Sequence, residues 1–435
     1  MSGHHEPSIA GGEPCRAFVP APLPPDPPLV FDAALQERLN AAHLALGRLD
    51  GMTLLMPETS VLLYSYVRKE AVMSSRIEGT QSSLSDLLLY EAEGAPGVPL
   101  HDVREVSCYV DALDHGLARM RAGLPLCTRL MNEMHARLMG HGRGAGKAPG
   151  EIRRTQNWIG GRSPRAASFV PPPPQRLHGV LSDLERFLND QPARTPPLIK
   201  AALAHLQFET IHPYLDGNGR LGRLLIPLIL VHERVLREPL LYLSLHFKTH
   251  RDAYYRLLQQ VRQDGDWEAW LRFFATAVEV VATQAVDTAM AITALGAVDG
   301  ARIRSAARAD ERAMQVHRAL FARPVARTVD IAAWSGLDPS DVERGAAVLE
   351  AIGLLRVTRG AGNERIHVYA GYLELLDREP EDAVPDALRE VLPAAIPDVL
   401  RDDARAGAAG SDQRCDRPTH LGGVGRAAEV AGPWA

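Results

Sequence analysis

The sequence predicts a mainly α protein: a helical bundle with a β-hairpin flap, plus a small winged helix-turn-helix domain. Three observations carry this. Apolar residues recur at helical spacing from about residue 31 to 297, a stretch rich in Gly, Arg and Pro interrupts them at 140–173, and near Ala306 the pattern changes to three helices followed by two strands. At 435 residues the chain is long enough for two or three domains, each with its own core.

Residues 1–28 are rich in Gly and Pro and end in PAPLPPDPP, which favours an extended polyproline-like arm along a surface. The segment 29–95 forms an N-terminal helical region, LQERLNAAHLALGRL, VLLYSYVRKEAVMSSRI and SLSDLLLYEAE, separated at Gly51, Pro57 and Gly79. A core over 96–298 continues with helices at 102–122 and 127–139, then the 140–173 interruption, which reads as a hairpin or lobe. Helices follow at 174–190, 197–211 and 219–236, with two more over 249–297. Pro196 and Pro197 fit the first turn of the 197–211 helix, and Pro213 stops it. In 305–378 a helix at 309–321 precedes VDIAAWS, with Thr328 as N-cap and Gly336 at its end. Asp338-Pro339 opens a third helix to about Leu354, and strands at 355–358 and 365–369 complete the winged order. The tail 379–435 is low in complexity, with weak periodicity apart from one helix near 385–401.

Composition excludes several functions. A formal net charge of -5 with 23% charged residues gives no general attraction to nucleic acid or anionic lipid. Cys15, Cys108, Cys127 and Cys415 form no CxxC pair, so neither a zinc site nor a disulfide framework is expected. No run of about 18 apolar residues and no signal-peptide pattern is present, so the expectation is a soluble cytoplasmic protein without membrane contact.

The chemistry concentrates in HPYLDGNGRLGR, residues 212–223, between two predicted helices. A helix N-terminus offers unpaired N–H groups and the positive dipole end to an anion. Gly217 and Gly219 let the backbone approach a phosphate, Asn218 can donate its side-chain amide, and Arg220 and Arg223 share a side of the new helix. Asp216 is a hard oxygen ligand suited to Mg²⁺ together with phosphate oxygens, and His212 can take a proton near neutral pH. Each residue alone fits a solvated turn. Together they form a phosphoryl-transfer site, in which an acceptor hydroxyl gives its proton to His212 as it attacks phosphorus.

This loop resembles the Fic family signature HxFx(D/E)GNGRxxR, with Tyr214 where Phe is usual. The resemblance extends over most of residues 16–285, including FVPAPLPP, EAVMSSRIEGTQ, GEIRRTQNWIGG, FVPPPP and LYLSLHFKTHRDAYY. It implies a Fic-type helical bundle that binds ATP with Mg²⁺ and transfers AMP to Ser, Thr or Tyr hydroxyls of a target protein. His212 would be the general base, Asp216 the metal ligand, and Gly217, Asn218, Gly219, Arg220, Leu221, Gly222 and Arg223 the nucleotide-binding surface. Trp158, Ile159 and Gly160 in NWIGG resemble the flap that positions the target by strand-like pairing. His250 departs from the Asn found in relatives.

SSRIEG resembles the family's inhibitory motif (S/T)xxxE(G/N), which assigns Ser74 and Glu78 to it. Glu78 would pair with Arg223 and occupy the place of a γ-phosphate oxygen, so the resting protein is expected to be autoinhibited. The residues leave AMP removal, or transfer of another nucleotide such as UMP, as alternatives, and self-modification and homodimer formation open. A winged-helix transcriptional regulator is the non-enzymatic alternative. The helix PSDVERGAAVLEAIG exposes Asp341, Glu343 and Glu350 with Arg344 as its only cation, a poor face for DNA, so a protein-interaction or dimerisation role is favoured.

Overall fold

The computed structural model describes residues 2–55, 59–93, 100–141, 144–306, 311–360 and 363–377. It begins with an antiparallel hairpin, β1 (Gly3–Ala10) and β2 (Glu13–Pro20), in register from Gly3 opposite Pro20 to Ala10 opposite Glu13. This corrects the expectation of a polyproline arm. Gly11 and Gly12 both adopt positive φ, as a two-residue hairpin turn requires, and Ala17, Phe18 and Val19 are buried against the body.

Helices α1 (Ala33–Leu55), α2 (Thr59–Ile77) and α3 (Leu84–Glu93) follow, with Gly51 inside α1 and not between helices. The core continues with α4 (Leu100–Arg121) and α5 (Thr128–Leu138), then the 140–173 lobe, in which the expected hairpin is a single antiparallel bridge between Ile159 and Phe169. Next come α6 (Pro174–Leu188), α7 (Pro197–Ile211), α8 (Asn218–His232), α9 (Ser244–Thr249), α10 (Arg251–Asp264) and α11 (Trp267–Ala306). α7 is the centre of the bundle. Every residue from Leu198 to Ile211 is buried, including Lys200, whose ammonium is held by Asp190 and Glu233. α11 is long and apolar enough to cross a membrane by composition alone, but α1 packs along it and its apolar stripe lies in the core.

The last module runs α12 (Glu311–Ala322), β3 (Val325–Arg327), α13 (Thr328–Ser335), α14 (Pro339–Ala351), β4 (Leu355–Arg359), β5 (Arg365–Tyr369) and α15 (Ala370–Asp377). The sheet order is β3-β5-β4, all antiparallel. Three helices and two strands fall where the sequence places them, in winged helix-turn-helix order. β3 and α15 are additional. α13 is capped by Arg327 and not by Thr328: the Arg327 N–H donates to the Asp330 carboxylate, while the Thr328 hydroxyl bonds Glu343 and His367. The module rests on α2, where Lys69 Nζ donates to the Leu376 carbonyl at 2.5 Å and Ser65 Oγ to Tyr372 at 3.4 Å. The tail 379–435, with its expected helix and Cys415, lies outside the described residues.

Candidate active site

α7 ends at His212, which caps it in the left-handed region at φ 48°. That conformation is strained for a residue with a Cβ, so something must hold it. Arg153, buried in the lobe, does so: its Nε donates to the His212 carbonyl at 2.9 Å and its N–H to the Pro213 carbonyl at 2.9 Å. The other guanidinium nitrogens reach Thr155 and Pro172 carbonyls, so one cation ties the lobe to the loop. Burial, with the charges of Arg153 and Arg262, pushes the His212 imidazole down to about 3. His212 is therefore neutral in the resting protein, the form from which a general base acts.

Tyr214 fills the space under the loop. Its ring stacks on His135 at 3.8 Å and its hydroxyl donates to Asn132 at 2.7 Å. His135 in turn donates from Nε2 to the Asp216 carbonyl at 2.9 Å and accepts the Gly150 N–H at 2.8 Å. This pairing fixes its tautomer, and burial pushes it down to about 4. The aromatic anchor expected at position 214 is thus present, with His135 as an orienting partner that the sequence did not announce.

Gly217 starts α8 at φ 77°, where a Cβ would meet Met139 Sδ at 2.6 Å. Leu221 N–H already bonds the Gly217 carbonyl, whereas the N–H groups of Asn218, Gly219 and Arg220 have no partner among the described hydrogen bonds. These three first-turn donors could hold an anion. Three assignments change. The Asn218 side chain is buried and doubly bonded to the Tyr214 backbone, its amide donating to the carbonyl and its oxygen accepting the N–H, both at 2.9 Å. It shapes the turn, and only its backbone N–H is left for an anion. Leu221 points into the core with its N–H used. Gly222 packs on α7, where a Cβ would lie 2.6 Å from Glu209 Oε1, and its carbonyl accepts from His205. Leu221 and Gly222 are both buried within the fold.

Asp216 Oδ1 accepts the Gly217 N–H at 2.6 Å, while Oδ2 has no partner among the described residues and the side chain is 46% open to solvent. No group of three or more His, Cys, Asp or Glu side chains able to hold a metal occurs among the described residues. A cation here would have Asp216 as its protein ligand and take its other oxygens from phosphate and water, the usual manner of Mg²⁺. The residues present fit it. Arg220 is buried, 3.4 Å from Glu105 and 3.7 Å from Asp216.

Ser74 and Glu78, at the end of α2, meet Arg223. Arg223 Nε donates to Ser74 Oγ at 2.8 Å, and one terminal nitrogen donates to the Ser74 carbonyl at 3.0 Å and to Glu78 Oε1 at 2.7 Å. Glu78 Oε1 stands so close over Gly219 that a Cβ there would lie 2.3 Å away. Burial in the concave site would raise the Glu78 carboxyl, but the charge and hydrogen bond of Arg223 outweigh it and hold it below its ordinary value. The carboxylate is therefore ionised, with 38% of the side chain open to water.

Three further residues gather here without having been singled out. Glu209, one turn before His212, is buried and pushed up to about 7 by burial against the pull of Arg223, and its Oε1 has no hydrogen-bond partner among the described residues. Tyr255, half-exposed, senses the charges of Glu78, Arg223 and Glu209 and lies under the Arg251 guanidinium at 5.2 Å. Arg262 sits over the Phe169 ring at 3.9 Å and bonds Thr210 and the Glu209 carbonyl. His250 packs on His246 at 4.2 Å between ring centres. In the lobe, Ile159 exchanges hydrogen bonds with Phe169 at 2.8 and 3.1 Å, and Gly160 and Gly161 adopt positive φ. The Asn157 amide donates to the Tyr214 carbonyl at 3.4 Å, tying Trp158, Ile159 and Gly160 to the loop.

Residues 36–118 match the model described as Fic/DOC family N-terminal, and residues 125–230 match the one described as Fic/DOC family. Over these residues the chain is similar to the Fic/DOC family. The two matches cover α2 and the loop from His212 to Arg223. Among curated relatives, protein adenylyltransferase Fic of Culex quinquefasciatus is 37% identical over 148 residues, 34% of this chain and 26% of the relative. The Drosophila yakuba protein of the same name is 36% identical over 151 residues, 34% and 27% respectively. The chain thus matches about a quarter of the length of these relatives. A solved Fic family protein from Desulfovibrio desulfuricans G20 shares the fold, with a TM-score of 0.51 at 18% identity over 78% of this chain and 97% of that one.

Proposed function

We propose that this Fic protein is a protein adenylyltransferase that transfers AMP from ATP to a Ser, Thr or Tyr hydroxyl of a target protein and rests in an autoinhibited state. The observation that carries the reading is the first turn of α8, whose three free N–H groups and Arg223 converge where Glu78 now stands. A triphosphate in that place has its anionic oxygens on the helix N-terminus and its terminal phosphate toward Arg223. The acceptor hydroxyl gives its proton to His212 while its oxygen bonds the α-phosphorus. The bond to the bridging oxygen breaks, and pyrophosphate leaves. Asp216 would hold Mg²⁺, which would supply charge neutralisation of the phosphates. Glu78 opposes this by holding Arg223, so ATP would bind in an unproductive pose.

Trp158 and Gly160 would pair with the backbone of the acceptor segment, since Ile159 already spends its own pairing on Phe169. Self-modification is expected, because the protein presents its own hydroxyls at high local concentration. AMP removal is the second reading, favoured by one observation: the Glu78 charge is felt at His212, where the pair could orient a water. The winged module we read as a protein-binding or dimerisation surface. Asp341 is paired with Arg312 and Arg344, and Glu343 and Glu350 with Arg365, leaving little free cationic charge for DNA. A cytoplasmic location fits the free thiols of Cys15, Cys108 and Cys127.

Intact-mass analysis of the Glu78→Gly protein after separate incubation with ATP, UTP, GTP and CTP tests the nucleotide. A gain of one AMP unit with ATP is expected. A gain with UTP instead, or with none of the four, overturns the reading.

A further inference from the structure

The hairpin β1–β2 is not used by the proposed chemistry, yet it is bonded to both parts of the acceptor side. Toward the lobe, the Phe18 N–H donates to the Val170 carbonyl at 2.9 Å and Ser8 Oγ donates to Gln156 Oε1 at 2.9 Å. Glu6 takes Arg176 through two hydrogen bonds, at 2.6 and 3.1 Å. The Phe18 ring lies 6.1 Å from Phe169, and a Cβ on the turn residue Gly11 would be 3.7 Å from the Trp158 indole. One backbone hydrogen bond therefore joins β2 to the segment carrying Phe169, on the side of the bridge away from Trp158–Gly160.

Toward the loop the connection runs through Arg262. Phe169 lies beneath its guanidinium, which bonds Thr210 Oγ1 at 3.1 Å and the Glu209 carbonyl at 3.3 Å, two and three residues before His212. Ser2 Oγ donates to the Arg262 carbonyl at 3.0 Å, and the Gln207 amide donates to the Ala21 carbonyl at 2.8 Å. Among the described hydrogen bonds, none joins residues 2–21 to the 216–223 anion site.

We propose that the N-terminal hairpin is a positioning element of the acceptor-docking surface. It fixes the flap edge relative to His212, and thereby governs transfer to an extended polypeptide segment without governing nucleotide binding. The proposal rests on the adenylyltransferase reading for its kinetic consequence. Reactivity falls steeply when an attacking group is displaced by about 1 Å, and a flap joined by one bridge pair has little order of its own. The hairpin supplies that order through one buried ring and two hydrogen bonds, with Phe18 and Ser8 as the positioning residues.

The test uses Phe18→Ala, Phe18→Leu and Ser8→Ala in the full Glu78→Gly protein, with three readouts. Amide exchange at Ile159 and Phe169 should accelerate about tenfold in Phe18→Ala while α7 amides stay protected. The initial rate of AMP transfer should fall about ten- to a hundredfold, with ATP Kd changed less than about twofold. Phe18→Leu, which keeps most of the buried volume, should recover most of both, and Ser8→Ala should shift both in the same direction by less. Unchanged flap exchange, unchanged transfer, or ATP binding that weakens in step with transfer would each overturn the proposal. If Phe18→Ala frees the flap amides but Glu78→Gly transfers no nucleotide, the adenylyltransferase reading falls and the hairpin's hold on the flap stands.

Discussion

Replacing Glu78 by glycine removes the carboxylate that holds Arg223 at 2.7 Å and stands over Gly219. A charge-assisted hydrogen bond of this kind contributes about 1.5–3 kcal/mol when desolvated. With 38% of the Glu78 side chain open to water, about 1–2 kcal/mol is the appropriate scale. Released to a terminal phosphate, that energy corresponds to about a five- to thirtyfold rise in productive binding. Folding should survive, because Arg223 keeps both Ser74 bonds and the neighbouring Glu209; the melting temperature should fall by no more than about a few degrees. The assay is the initial rate of protein labelling from ATP labelled on the α-phosphate, comparing wild type with Glu78→Gly at equal ATP. A rise of about five- to thirtyfold agrees with the contact. Equal rates would refute the reasoning, since Glu78 would then not compete for Arg223.

Arg153→Lys should lower transfer in the Glu78→Gly background and destabilise the fold by about 2–4 kcal/mol, because an ammonium cannot serve the His212, Thr155 and Pro172 carbonyls together; denaturant melts and labelling rates check both. Tyr214→Phe removes one hydrogen bond to Asn132 and keeps the ring on His135, so stability should drop about 1 kcal/mol with labelling nearly intact. His212, pushed down to about 3, keeps its neutral, base-competent form as pH falls through the ordinary histidine value of 6.5. Its imidazole resonances in the nucleotide-free protein should accordingly not move between pH 8 and 5, whereas a titration centred near 6.5 would show that burial does not control it.

How far the sequence revealed this site depends on what each residue does. The loop was legible because His, Asp, two Gly and two Arg at fixed offsets have few structural uses in common, and Glu78 because its motif names its partner. Asn218 was misread for the opposite reason. An amide between two glycines suits a phosphate and a turn equally, and only the bonds to Tyr214 decide. Arg153 was invisible beside Arg154, since nothing in GEIRRT says which one is buried. His135 sits on the buried face of an amphipathic helix, where it reads as core. The N-terminal hairpin was hidden by composition, because the Gly/Pro content and PAPLPPDPP suggest an extended arm while the pairing depends on Gly11-Gly12 and on a long-range contact of Phe18. Local pattern carried the helices and long-range packing carried the rest, as with β3, three residues long and formed only by pairing with β5.

The central claim is that His212 drives transfer of the α-phosphoryl group with its adenosine. Glu78→Gly and Glu78→Gly/His212→Ala proteins, incubated with Mg²⁺ and ATP labelled at either the α- or the γ-phosphate, test it most directly. The account predicts stable protein labelling from α-labelled ATP in the first protein alone and none from γ-labelled ATP in either. Label arriving from the γ-phosphate, or α-labelling that survives the loss of His212, would contradict it.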